Sequence, residues 1–177
     1  VSSWGFKIKE RRDFIMSEYE YLEGKRILIV DDEPDVLDSL EDLLSMCDVT
    51  KASNFLDAKE YLQARYFDIA VLDIMGVEGY DLLEIANQKN ITAAMLTAHA
   101  LSPENLIKSY KEGAASYLPK EEMINIASFL NDILEAKEKG KSTWTRWYDR
   151  MGSFFEKRFG TEWKKSDQEF WEKFPFY

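Results

Sequence analysis

Apolar residues along this chain keep two rhythms, and the two alternate. Short aliphatic runs, "ILIV" at Ile27–Val30, "FDIAVLD" at Phe67–Asp73 and "ITAAMLT" at Ile91–Thr97, read as strands buried on both faces, as in a parallel sheet. Val49–Ala52 and Ser116–Leu118 add two shorter strands. Between them apolar residues recur at steps of three and four, which predicts helices. Pro34 opens the first, with Val36, Leu37, Leu40, Leu43 and Leu44 on one face. Asn54 caps the second, which carries Phe55, Ala58 and Leu62. A third runs from about Tyr80 to Gln88 over Leu82, Leu83 and Ala86. Ser102-Pro103 starts a fourth with Leu106, Ile107 and Tyr110, and Gly113 ends it. The fifth, from about Glu121 to Lys137, turns Met123, Ile126, Ala127, Leu130, Ile133 and Leu134 inward. Five strands alternating with five helices imply right-handed crossovers and a doubly wound parallel α/β sheet over residues 25–137.

The two ends break this rhythm. Residues 1–24 show no clean period and predict a loosely ordered extension, with Met16 a candidate start. In the last 40 residues Trp144, Trp147, Tyr148, Met151, Phe155 and Phe159 lie at helical steps, and Gly160 follows Lys157 and Arg158 as a stop. Ser166 and Glu169 have capping-box spacing, which predicts a short last helix with Phe170 and Trp171 that stops at Pro175. Composition marks the same boundary near Gly140. Residues 138–177 hold 12 of the 25 aromatics and carry 9 basic against 7 acidic side chains, net +2, whereas residues 1–137 carry 14 against 26, net −12. So many aromatics will not stay in water. They pack on the preceding domain, on each other, on a partner or in a homodimer.

The overall charge of −10 argues against nucleic acid and anionic membrane as partners. The tail is nearly neutral and has no recognition-helix pattern, so a DNA-binding output is not expected. A single cysteine, Cys47, allows no internal disulfide and suits a reducing compartment. With no apolar run of about 18 residues and no signal-peptide core, the expected setting is soluble and cytoplasmic, with no transmembrane segment.

In a doubly wound sheet ligands bind beyond the carboxyl ends of the strands. Strand one ends on Asp31 and Asp32, strand three on Asp73, strand four on Thr97, and strand five leads to Lys120. Two like charges about 4 Å apart repel by roughly 4 kcal/mol at an effective dielectric of 20, so this acidic rim needs a counter-charge. Three carboxylates suit a hard divalent cation such as Mg²⁺, and Lys120 adds a second source of positive charge. A carboxylate, a hydroxyl, an ammonium and Mg²⁺ around one point make a phosphoryl-transfer site. Asp73 is its natural nucleophile, since carboxylates form acyl phosphates.

At "ILIVDDEPDVL", "VLDIMG", "MLTAHA" and "YLPKEEM" the chain resembles the receiver domain of two-component response regulators, over roughly Lys25–Lys137. The resemblance implies flavodoxin-like strand order 2-1-3-4-5, a sensor histidine kinase as phosphoryl donor, and Asp73 as acceptor. It implies Mg²⁺ ligation by Asp32, Asp73 and the Met75 carbonyl, with Asp31 acting mainly through water. Thr97 and Lys120 would hold phosphoryl oxygens, and Tyr117 would be an aromatic that changes rotamer. The output would pass to a downstream protein through the face of the fourth helix, fifth strand and fifth helix, or through the aromatic tail. His99, the only histidine, is a candidate for tuning dephosphorylation.

One stretch departs from the family pattern. Receivers usually carry a proline three or four residues after the acceptor and a glycine eight after it; here "DIMGVEGYDLL" has Gly76 and Gly79 and is about two residues short. Two other classes compete with a phosphoryl-accepting signalling module. One is an interaction module that works without phosphorylation. The other is an aspartate-nucleophile phosphatase of the haloacid dehalogenase type, whose general acid would stand where Met75 does.

Overall fold

The structure is a computed structural model that describes residues 7–11 and 18–175. Five parallel strands form one sheet: β1 (Arg26–Val30), β2 (Asp48–Ala52), β3 (Ile69–Asp73), β4 (Thr92–Thr97) and β5 (Ser116–Pro119). Their order is β2-β1-β3-β4-β5, the doubly wound order expected from the resemblance. Five helices connect or follow them: α1 (Pro34–Leu43), α2 (Phe55–Ala64), α3 (Gly79–Gln88), α4 (Pro103–Lys111) and α5 (Ile126–Glu138). The last two are α6 (Trp144–Phe159) and α7 (Gln168–Lys173).

The local chemistry matches the caps read from the sequence. Pro34 stands at the start of α1, the Asn54 side chain accepts from Asp57 N at 2.9 Å, and Ser102 Oγ accepts from Asn105 N at 3.0 Å. Three details differ. The segment Lys120–Asn125 is a 3₁₀ turn, so α5 begins at Ile126 rather than near Glu121. Asp167, not Ser166, caps α7, accepting from Phe170 N at 3.0 Å, while Ser166 Oγ donates to Trp163 O. Tyr19–Gly24 form a turn that packs on the domain instead of trailing from it. Leu22 is fully buried, Tyr21 N donates to Asn131 Oδ1 and Gly24 N to Met46 O. Met16 lies outside the described residues.

β3 is buried along its whole length, and β1 and β4 are buried except at their first residues, because helices cover both faces of the sheet. The two edge strands are treated differently. β2 keeps Asp48 and Lys51 at its surface, a charged edge that discourages further pairing. β5 is buried at every residue, because the tail lies over it. Trp147 Nε1 donates to Tyr117 O at 2.7 Å and Trp144 Nε1 to Ala114 O at 3.0 Å, so two indoles satisfy carbonyls that an uncovered edge would leave to water.

The tail is therefore part of the same hydrophobic core and not a unit apart. Trp144, Trp147, Met151 and Phe155 form the buried stripe of α6, and Trp163, Trp171 and Phe174 close over it. Phe155 is completely buried, with its ring centroid 5.5 Å from Trp147, 5.2 Å from Trp163 and 6.1 Å from Tyr117. Ion pairs set the register of α6 on α5: Arg150 Nε reaches Asp132 Oδ2 at 2.6 Å, and Arg146 reaches Asp132 at 3.1 Å and also Glu135. This second coat explains why Phe129 and Asp132 of α5 are buried although they lie off the face turned to the sheet.

Phe155→Ala should lower the stability of the whole chain by about 3–5 kcal/mol, the cost of truncating a buried aromatic. Urea unfolding followed by circular dichroism checks this. A loss below about 1 kcal/mol would mean that the tail is not part of the cooperative unit.

Candidate functional site

Strand register builds the site. Val30 of β1 pairs with Leu72 of β3, so the next residues, Asp31 and Asp73, leave neighbouring strand ends side by side. Asp73 pairs with Leu96 and Thr97 with Pro119, which puts Thr97 and then Lys120 in the adjoining positions. Residues far apart in sequence thus meet at the carboxyl edge of the sheet, the place where this fold binds ligands.

Lys120 is the centre of the cluster. Its Nζ lies 2.8 Å from Asp31 Oδ2, 2.8 Å from Glu33 Oε1 and 3.4 Å from Asp73 Oδ2. Asp31 is fully buried and Asp73 is 4% exposed. Burial first, and then the charge of Asp31, push the Asp73 carboxyl up to about 6 against the pull of Lys120. Burial also raises Asp31, again against Lys120. For Lys120 burial works downward, but Asp31, Glu33 and Asp73 outweigh it and hold the ammonium above its usual range. The hydrogen bond from Lys120 lowers the exposed Glu33.

The oxygen donors suit a hard cation. Asp31, Asp32 and Glu33 can each present a carboxylate oxygen within 4.8 Å of the others. Asp31 Oδ2 is buried, and its close partner is the Lys120 ammonium at 2.8 Å. Four carboxylates face one ammonium, so the rim keeps a negative excess that a divalent ion would relieve. Sequence reasoning missed Glu33. Its signal was its place third in "DDE", just before the helix-opening Pro34. Asp73 is not in the 4.8 Å group, which differs from the trio of Asp31, Asp32 and Asp73 expected on the rim.

The shortened loop after Asp73 folds back against these carboxylates. Gly76 has φ +85°, and a Cβ there would sit 2.5 Å from Asp32 Oδ2. A Cβ at Gly79 would sit 2.1 Å from the carbonyl oxygen of Asp73. Both glycines are required by close approach, the first also by its left-handed backbone.

The remaining candidates are placed as follows. Thr97 is fully buried, and its Oγ1 accepts from Ala100 N at 2.9 Å, so it is turned to the loop after β4. Tyr117 is fully buried as well. Its hydroxyl donates to Ala100 O at 2.7 Å and accepts from Ser102 N at 3.1 Å, so a rotamer change would start from a ring already packed inside. The Met75 side chain is exposed on the acceptor loop. His99 is exposed on the turn after β4; no described hydrogen bond or ion pair joins it to Asp73.

Comparison with known proteins adds the following. The family model described as response regulator receiver domain matches residues 27–130. The two-component response regulator ARR18 of Arabidopsis thaliana is 36% identical over 103 residues, covering 55% of this chain and 16% of that protein. The response regulator protein PilR of Pseudomonas aeruginosa is 34% identical over 102 residues, covering 54% of this chain and 23% of that protein. The chain thus spans less than a quarter of either curated relative. A solved CheY-like response regulator receiver domain protein from Methanospirillum hungatei JF-1 matches with a TM-score of 0.60 at 29% identity, over 67% of this chain and 99% of that one. The family match ends within α5, before the aromatic tail.

The strained charge at Asp73 yields a stability test. A folded-state carboxyl raised from 3.8 to about 6 binds more protons than the unfolded one between those values, so its contribution to stability falls as pH rises through that window. Asp73→Asn should therefore stabilise the metal-free chain by about 1–3 kcal/mol near pH 8 and by almost nothing near pH 4. Urea unfolding in chelator at the two pH values measures the difference, and a variant less stable at the higher pH would contradict it.

Proposed function

Because the chain belongs to the response regulator receiver family, we propose that Asp73 accepts a phosphoryl group from the phosphohistidine of a sensor kinase, with Mg²⁺ at the acidic rim, and that a partner protein reads the result. The observation that carries this reading is Lys120, whose single ammonium stands 2.8 Å from Asp31 and 3.4 Å from Asp73. That is the spacing needed to orient an acceptor carboxylate and then to neutralise oxygens added to it.

Asp73 attacks phosphorus in line; the new O–P bond forms as the P–N bond to the kinase imidazole breaks, and the imidazole keeps the electron pair. Lys120 can turn from the Asp73 carboxylate to a phosphoryl oxygen. Thr97, at the end of the adjoining strand, offers a hydroxyl as a second donor. Asp31, Asp32, Asp73 and the Met75 carbonyl would hold Mg²⁺, with Glu33 at its margin, and the ion when bound would screen the charge on the phosphoryl oxygens. The closeness of Gly76 to Asp32 supports this, since it brings the backbone just after Met75 against that carboxylate. No external substrate is turned over: the protein carries out its own phosphorylation and its own hydrolysis. His99, on the turn after β4, is the side chain proposed to tune the hydrolytic step. The proposed setting is the cytoplasm; among the described residues no helix is long and apolar enough to cross a membrane.

Incubation with acetyl phosphate and Mg²⁺ should label the chain stoichiometrically, with an acid-stable, base-labile bond. Asp73→Ala should abolish the label, and chelation of the metal should slow it by roughly 10²-fold or more. Continuous release of phosphate would indicate a phosphatase instead, and complete absence of label would indicate an interaction module.

A further inference from the structure

Resting on the phosphoryl-acceptor reading, we propose that the first partner to read the state of Asp73 is this chain's own tail: α6 and α7 occupy the face made by α4, β5 and α5 and loosen from it when Asp73 is phosphorylated. No other protein or second copy can dock on that face while the tail lies there.

Occupancy is seen directly. Trp147 and Trp144 bond the backbone at Tyr117 and Ala114, Arg150 pairs with Asp132 on α5, and Lys111 on α4 stands 3.7 Å from Asp167 in the tail. The tail therefore touches all three elements of the face.

Coupling follows an unbroken run of contacts. Thr97 Oγ1 now accepts from Ala100 N; Ala100 O accepts from the Tyr117 hydroxyl; the Tyr117 ring packs on Phe155, and its carbonyl takes the Trp147 indole N–H. Thr97 Oγ1 keeps its proton free to donate to a phosphoryl oxygen on Asp73, and a hydroxyl drawn toward that oxygen pulls on the Ala100 N–H it accepts from. The loop that holds the Tyr117 hydroxyl then shifts, and a hydroxyl left without partners at a fully buried site is costly. The ring has to move with the loop, and Phe155 and Trp147 lose the surface they are packed on. A group bound at one end thus disfavours the docked tail at the other, and by linkage an undocked tail favours phosphorylation.

The tail carries its own reporters. Of the five tryptophans, Trp144, Trp147, Trp163 and Trp171 lie in it, and changing the fifth by Trp4→Phe leaves the signal to the tail alone. The full chain in that background is phosphorylated with acetyl phosphate and Mg²⁺, the label being followed by intact mass. Tryptophan emission should shift to the red and acrylamide quenching should rise as label accumulates. Tyr117→Phe should take the label normally and lose most of that change. Full labelling with unmoved tryptophans overturns the proposal and leaves the acceptor reading standing. Absence of label overturns both. Should Tyr117→Phe fail to fold, hydrogen exchange over residues 144–174 of the unsubstituted chain decides: faster exchange on labelling supports the coupling and unchanged exchange refutes it.

Discussion

Two buried carboxylates at adjoining strand ends have to coexist, and Lys120 is what allows it. The register of β1 on β3 leaves no freedom: once Val30 pairs with Leu72, Asp31 and Asp73 emerge together, out of water. Each is pushed toward its neutral form by burial, and Asp73 is also pushed by its neighbour. A lysine one residue beyond β5 is the only strongly bound counter-charge among the described residues at that edge. One ammonium does not balance Asp31, Asp32, Glu33 and Asp73, however. The fold thus builds a site that is tolerable when empty and improved by added positive charge, which is the electrostatic condition for binding a divalent ion and then a phosphoryl group.

The tail answers a different constraint, at the far edge of the sheet. A terminal strand offers open backbone groups and an apolar flank, and a protein must charge, shorten or cover it. Here β2 is charged and β5 is covered. The cover is aromatic because a tryptophan can both fill the flank and donate its indole N–H to a backbone carbonyl, as Trp147 does to β5 and Trp144 to Ala114 just before it. The Arg146 and Arg150 pairs with Asp132 add direction to what the rings supply in area. The arginines of these pairs are still half exposed, which limits what the pairs contribute, so the rings hold the tail down and the arginines fix where it lies.

The sheet was legible because its signal is local. Short aliphatic runs, a proline or a capping residue at helix starts, and a polar group at the ends of four of the five strands are all written within a few residues. Thr97 and Lys120 could be assigned to one rim because the topology sends every strand end to the same side. What depended on long-range packing was hidden. Phe129 and Asp132 were not among the inward-facing residues read for α5, since nothing near them says that α6 will lie on top. The start of α5 was read about five residues early, because "KEEMIN" has helical composition but follows Pro119 in a tighter 3₁₀ turn. The glycines after Asp73 looked like a loss from the family pattern; their need became visible only once Asp32 and the Asp73 carbonyl were seen pressed against them.

These two constraints share one strand. β5 lends Lys120 to the acidic rim from just past its carboxyl end, and lends the Tyr117 carbonyl and ring to the tail. Thr97, on the neighbouring strand, touches the loop to which Tyr117 is tied. A strand of four residues, closed by a proline that cannot extend the ladder, has little room to adjust one end without the other. Close-packed interiors shift between discrete arrangements and do not deform smoothly, so a change of charge at the rim is more readily met by moving the cover than by stretching the strand. The aromatic cap is then both the element that completes the fold and the part of it most exposed to what happens at Asp73.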